Sequence, residues 1–115
     1  MEAFEITSER LADHTVVVKV NGEIDLLTAP QLENRLLDEL RNGATRAVVD
    51  LSECTFIDSS AIHTLLKANA LAQSRGNDQL TLMTDRPSIV KLLELTAVTT
   101  QFQIIPTRDV ALTAA

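Results

Sequence analysis

The residues best suited to chemistry in this sequence form the string Asp58-Ser59-Ser60. The string follows an apolar stretch that ends near Ile57 and precedes a segment whose apolar residues recur at helical spacing. A serine at such a junction lies at the surface, beside the free backbone N–H groups and the positive end of a helix dipole. Its hydroxyl is a candidate phosphate acceptor. A phosphate would add about −1.5 to −2 charges, and the helix end would partly stabilise it.

The same string also suits a structural role. Either Asp58 or Ser59 could be the N-cap of the following helix, because both side chains can accept hydrogen bonds from first-turn N–H groups. Ser60 is interpreted as a first-turn residue rather than a second acceptor. His63 lies one turn after Ser59 on the same helix face, where it could approach a phosphate or a partner, or be solvated. Capping and phosphorylation are compatible, so both interpretations of Ser59 stay open.

Apolar alternation predicts two strands at the start of the chain, near residues 4–7 and 16–20, joined by a hairpin at 12–14. Asn21-Gly22 is expected to end the second strand. A helix is then expected to start at Thr28, which has capping-box spacing to Gln31, with Pro30 in the tolerated first turn. Its inward row is Leu32, Leu36 and Leu40, and its stop is Asn42-Gly43.

The rest of the chain alternates strand and helix. The elements are a central strand covered on both sides at 47–51, a helix at 59–75, a strand at 80–83, a helix at 87–95 capped by Asp85, a strand at 102–105 and a weaker helix at 108–114. This order predicts an α/β fold with a mixed, mostly parallel β-sheet, an N-terminal β-hairpin and about four helices. One domain over residues 1–115 is expected.

Composition restricts the possible partners. The net charge is −6, the basic residues are scattered, and Trp and Tyr are absent, so we expect no nucleic-acid partner. No apolar run approaches the roughly 20 residues of a membrane-spanning helix, and the start is not a signal peptide, so we expect a cytoplasmic protein without membrane insertion. The single cysteine, Cys54, excludes an internal disulfide and is interpreted as a small packed residue. The sequence carries no signal for an oligomeric state.

Two stretches of the sequence resemble the anti-sigma-factor antagonists, a family within the STAS domains. One is Asn21-Gly22-Glu23-Ile24-Asp25 followed by Thr28-Ala29, and the other is Val48-Val49-Asp50-Leu51-Ser52 followed by Phe56-Ile57-Asp58-Ser59-Ser60-Ala61-Ile62. Their separation, the element order and the chain length fit as well, so the resemblance covers nearly the whole chain and implies a STAS-type fold.

The resemblance implies partner switching. Such a protein, when unphosphorylated, binds an anti-sigma factor that is also a serine kinase, and thereby releases a sigma factor. The kinase phosphorylates the serine after the aspartate, which abolishes binding, and a phosphatase resets the switch. On this chain the phosphorylated residue would be Ser59. Asp25 matches an acidic loop position beside the interface, although stabilising the loop before Thr28 is an equally open interpretation. The partner surface would also include Asp58, Ser59, Ser60, Ala61 and His63.

The chain departs from the family at two places. The family usually has glycine at the position of Ala61, whose methyl group is expected to lie near an approaching kinase. It often has Ser-Gly at the position of Thr96-Ala97. Ala61 bears on the efficiency of phosphorylation more than on the fold.

The main alternative is a STAS scaffold, or an accessory subunit of a transporter or stress-signalling complex, that keeps Asp58-Ser59-Ser60 for capping alone. A receiver domain, which Asp50 could suggest, lacks support because no acidic pair follows the first strand and no Lys ends a late strand. Asp50 is instead interpreted as a hydrogen-bond acceptor that organises a loop. Catalytic motifs and metal-ligand spacing are also missing, so neither an enzyme, a cofactor nor a metal site is expected.

Overall fold

The computed structural model describes residues 4–96 and 100–106. The chain begins with an antiparallel hairpin of β1 (Glu5–Arg10) and β2 (Thr15–Ile24), joined by a short 3-10 turn at Ala12–His14. Asp13 and His14 adopt positive φ angles of 62° and 59° in this turn. The predicted hairpin is confirmed.

The expectation that Asn21-Gly22 ends the second strand is wrong. Gly22 has a φ of 100°, a value that glycine adopts without steric cost, and the strand continues to Ile24. The register of β2 shifts between Gly22 and Glu23. The irregularity therefore redirects the strand to a new neighbour rather than ending it.

That new neighbour is a strand that the sequence did not reveal. Strand β2 pairs in parallel first with β3 (Arg46–Asp50) and then with β4 (Cys54–Ile57). Residues 54–57 are not among the strands that the sequence predicts. They lack alternation, since only the first and last of the four are buried, and pairing with the end of β2 makes them a strand.

Three α-helices lie within the described residues, close to their predicted positions: α1 (Ala29–Arg41), α2 (Ser59–Ser74) and α3 (Pro87–Leu95). The inward row Leu32, Leu36 and Leu40 is buried, and Asn42 caps the end of α1 before Gly43, whose φ is 99°. Helix α3 begins after Arg86 without a side-chain cap, so the prediction of Asp85 as its cap is wrong. The predicted helix at 108–114 lies outside the described residues.

Two short parallel strands complete the sheet, β5 (Thr81–Met83) and β6 (Gln103–Ile105), and the strand order is β1-β2-β3-β5-β6 with β4 beside β2. Val49 joins the larger buried cluster with residues of the helices, whereas its neighbour Val48 packs on the opposite face with Val17, Met83 and Ile105. The prediction that β3 is covered on both sides is confirmed. The fold is the α/β class with a mixed, mostly parallel sheet that the sequence predicted.

The described part of the chain contains no helix long and apolar enough to cross a membrane. Within the same residues, no group of three His, Cys, Asp or Glu side chains is arranged to hold a metal ion.

Candidate functional site

The site forms where β2 and β4 end side by side. Ile24 and Ile57 are paired in parallel register, and the Asp58 N–H donates to the Ile24 carbonyl oxygen at 3.2 Å. The residues after these strand ends, Asp25 and Asp58, therefore start adjacent loops although 33 positions separate them in sequence. This pairing brings together the two stretches that carried the family resemblance.

Asp25 organises the loop between β2 and α1. Its Oδ1 accepts hydrogen bonds from the N–H groups of Leu27, at 2.9 Å, and Thr28, at 3.0 Å. These bonds, with that from Thr28 the strongest influence, lower the pKa of the Asp25 carboxyl below its ordinary value. The side chain is thus held as a carboxylate at the start of the loop.

Thr28 precedes α1, but the predicted capping box with Gln31 does not form. The Thr28 hydroxyl donates to the Glu23 carbonyl oxygen at 2.8 Å and accepts from the Asp25 N–H at 2.9 Å. No side-chain capping bond is made to the first turn of α1. The hydroxyl is engaged within the loop, so it stabilises the loop's shape instead of the helix end.

Asp58 is the N-cap of α2, which decides between the two candidates for that role. Its Oδ1 accepts from the N–H groups of Ser60, at 2.8 Å, and Ala61, at 3.3 Å. Ser59 is the first residue of the helix and is exposed. Its hydroxyl makes no hydrogen bond to any residue in the ranges 4–96 and 100–106. Ser59 therefore presents a surface hydroxyl that the cap does not use.

A groove of about 400 Å³ runs along Ser59 between the start of α1 and the start of α2. One wall comes from the loop and α1, and the other from α2. Ser60 and His63, both candidates from the sequence, line it with Ser59. The complete lining is Leu26, Ala29, Pro30, Glu33, Ser59, Ser60, His63 and Thr64.

Two exposed leucines beside the groove escaped the sequence analysis. Leu26 is 75% exposed and Leu27 is 83% exposed, in the loop that Asp25 holds. Burying a leucine side chain away from water is favourable, so two exposed leucines forgo this free energy in the isolated chain. Polar residues are usual in a loop between a strand and a helix. The two consecutive leucines after Asp25 are therefore the sequence signal that could have identified this surface.

Ala61 does not lie on the surface. Its side chain is fully buried, at 0% exposure, because it turns into the core from the first turn of α2. The prediction that its methyl group lies near an approaching kinase is wrong, and Ala61 contributes to the site only through its N–H bond to Asp58. Thr96 follows α3 and is exposed, whereas Ala97 lies outside the described residues.

Asp50 and Cys54 have structural roles near the site. The Asp50 carboxylate is buried and its Oδ1 accepts from the Ser52 N–H at 2.9 Å and from the Ser52 hydroxyl at 2.6 Å, which confirms its loop-organising role. Cys54 is fully buried, and burial raises the pKa of its thiol. The interpretation of Cys54 as a packed residue is confirmed.

Comparison with known proteins gives consistent results. A family model described as the Mlab, STAS domain matches residues 7–106. The anti-sigma-F factor antagonist RsfB of Mycobacterium tuberculosis is 34% identical over 67 residues, which are 56% of this chain and 55% of that protein.

Solved structures share the fold. The crystal structure of an anti-sigma factor antagonist from Mycobacterium paratuberculosis superposes with a TM-score of 0.83 at 29% identity, covering 97% of this chain and 93% of that one. SpoIIAA in its unphosphorylated form superposes with a TM-score of 0.73 at 17% identity, covering 97% of this chain and 96% of that one. Because the family model spans most of its length, this chain belongs to the STAS domain family.

Proposed function

We propose that this chain is an anti-sigma factor antagonist, which binds an anti-sigma factor with serine kinase activity while Ser59 is unmodified. Binding releases the sigma factor, and phosphorylation of Ser59 ends binding. The observation that carries the proposal is the exposed Ser59 hydroxyl, which stands at the head of α2 while Asp58 performs the capping. The names of RsfB and of the Mycobacterium paratuberculosis protein support the class of partner. The chain would act as one domain in the cytoplasm, and a phosphatase would restore it.

The proposed modification is a simple phosphoryl transfer. The Ser59 Oγ attacks the γ-phosphorus of ATP held by the kinase, ADP leaves, and the hydroxyl proton passes to a base of the kinase. The transfer needs an accessible hydroxyl, which Ser59 offers. Ser60 is half-buried and its N–H is bonded to Asp58, so we assign the acceptor role to Ser59 rather than Ser60.

The proposed partner surface combines an apolar area with acidic groups. Leu26 and Leu27 provide the exposed apolar area, and the carboxylates of Asp25 and Asp58 lie at the starts of the two adjacent loops. A phosphate on Ser59 would add about two negative charges to this surface. A partner that fits the neutral hydroxyl would then meet charge repulsion, bulk and a desolvation cost. A loss of about 3 kcal/mol is roughly a hundredfold in affinity.

A binding assay tests the proposal. Each anti-sigma kinase encoded in the source genome is purified and titrated against the wild type, Ser59→Ala and Ser59→Glu. We expect Ser59→Ala to bind like the wild type and Ser59→Glu to bind at least tenfold more weakly. Ser88→Glu is the matched control, because Ser88 is also an exposed serine in the first turn of a helix. Equal binding by Ser59→Glu and Ser88→Glu would place Ser59 outside the interface.

The second candidate function is a STAS scaffold or accessory subunit that is never phosphorylated. Its supporting observation is the cap itself, because the hydrogen bonds of Asp58 give the Asp58-Ser59-Ser60 string a folding role without any kinase. Incubation with ATP and each purified kinase, followed by intact mass measurement, separates the two functions. A gain of one phosphate in the wild type and none in Ser59→Ala favours the switch. An unchanged mass with every kinase favours the scaffold.

A further inference from the structure

The described residues that line the groove beside Ser59 include no lysine or arginine. The N–H groups of Ser60 and Ala61, which a phosphate at a helix start would ordinarily use, already donate to the Asp58 carboxylate. These two N–H groups are therefore open to a phosphate only if Asp58 is displaced. Asp58 also adds a negative charge directly beside the exposed Ser59, so a nearby cationic group would stabilise a phosphate there.

Among the eight described residues that line it, the groove contains one that can carry a positive charge, His63. It lies four positions after Ser59 in α2, and residues at this spacing are neighbours on a helix surface. His63 is exposed, and within residues 4–96 and 100–106 its ring makes no hydrogen bond or ion pair.

The other charged groups near the groove either belong to an ion pair already or are negatively charged. Glu33 lines the groove from α1 and pairs with Lys67 of α2, with 3.2 Å between the Lys67 Nζ and the Glu33 Oε2. Lys67 could reach toward a phosphate only by giving up this pair. Asp25 and Asp58 are both acidic and lie at the adjacent strand ends. His63 is thus the group that can gain a positive charge without breaking an existing contact.

We propose that His63 is the counter-charge for a phosphate on Ser59, its protonated ring pairing with the phosphate inside the groove. The inference rests on the proposed function only in taking Ser59 as the phosphorylated residue. A cationic ring beside the phosphate favours the phosphate dianion, and the dianion in turn favours the protonated ring, so proximity couples the two protonation equilibria.

The test uses protein with phosphoserine installed at position 59 during translation, so that no kinase is required. The phosphate is titrated by ³¹P NMR in the parent and in the variants His63→Gln, His14→Gln and Lys67→Gln. We expect the phosphate midpoint in His63→Gln to lie about half a pH unit above the parent, because the cation that favoured the dianion is lost. His14 is the matched control, since it lies in the β1–β2 turn, and its substitution should leave the midpoint unchanged.

Proton spectra of the same samples give a second readout. Phosphorylation should shift the ring signals of His63 and not those of His14, the only other histidine. An equal midpoint in His63→Gln and His14→Gln would overturn the inference, as would a shift caused by Lys67→Gln alone. A large change in the Ser60 and Ala61 amide signals with an unchanged His63 ring would also overturn it, because the phosphate would then have replaced Asp58 at the cap. None of these results depends on whether a kinase modifies Ser59, so the proposed function fails or holds separately.

Discussion

Ile24 of β2 and Ile57 of β4 are paired in parallel register, and this pairing places the two loops of the candidate site next to each other. The residues that follow, Asp25 and Asp58, each accept backbone hydrogen bonds at Oδ1 and each shape the loop or helix start behind them. A short strand pairing thus converts two distant segments of sequence into one surface. The predictions below test the parts of that surface separately.

Replacing Asp58 should weaken the start of α2. Asp58→Ala removes the acceptor for the Ser60 and Ala61 N–H groups, and loss of an N-cap costs about 1 kcal/mol. Urea unfolding should show this loss, while Asp58→Asn, which keeps an acceptor oxygen, should recover most of it. Asp85→Ala is the control, because Asp85 is exposed and Arg86 is the N-cap of α3; it should change stability by less than about 0.5 kcal/mol.

The loop that Asp25 organises should make stability depend on acidic pH. The folded state lowers the pKa of Asp25 from the ordinary value of 3.8, so its contribution is fully present above that value and is lost as the pH falls through the lower folded value. Asp25→Asn removes this titration. The urea midpoint of the variant should lie below that of the wild type at pH 6, and the difference should shrink toward pH 3. A difference that stays constant over this range would contradict the role given to the carboxylate.

The exposed leucines should matter for the partner and not for folding. Leu27→Ser removes apolar area that the proposed interface would bury, and a loss of about 1.4 kcal/mol weakens binding roughly tenfold. The measurement is the affinity for the anti-sigma kinase that binds the wild type. Leu95→Ser is the matched control, because Leu95 is 73% exposed and lies at the end of α3. If both variants bind alike, the leucine pair lies outside the interface.

Cys54 should resist thiol reagents in the folded protein. Its side chain is fully buried, and burial raises the pKa of the thiol, so the reactive thiolate is both scarce and inaccessible near pH 8. We expect alkylation by iodoacetamide to proceed at least a hundredfold more slowly than in urea-unfolded protein. Its rate should rise with pH only above the ordinary thiol range. Rapid labelling of the native protein would reveal an opening of β4 that exposes the thiol.

Local patterns in the sequence determined much of the architecture. Alternating valines predicted the hairpin strand β2, leucines spaced by four predicted the buried face of α1, and the apolar run at 47–51 predicted a strand covered on both faces. These patterns predict structure because side chains on one face recur every three or four positions in a helix and every two positions in a strand. The same patterns placed Ser59 at the start of a helix, where the structure has it.

Tertiary structure alone decided how the site is assembled. Pairing between β2 and β4 made a strand of residues without alternation and carried β2 past Gly22. Hydrogen-bond geometry gave the cap to Asp58 and left the Ser59 hydroxyl exposed, and packing buried Ala61 while it left Leu26 and Leu27 in solvent. Such outcomes depend on contacts between segments about thirty residues apart and on competition among neighbouring donors and acceptors. Sequence spacing identifies the residues able to act, and the folded chain determines which of them meet.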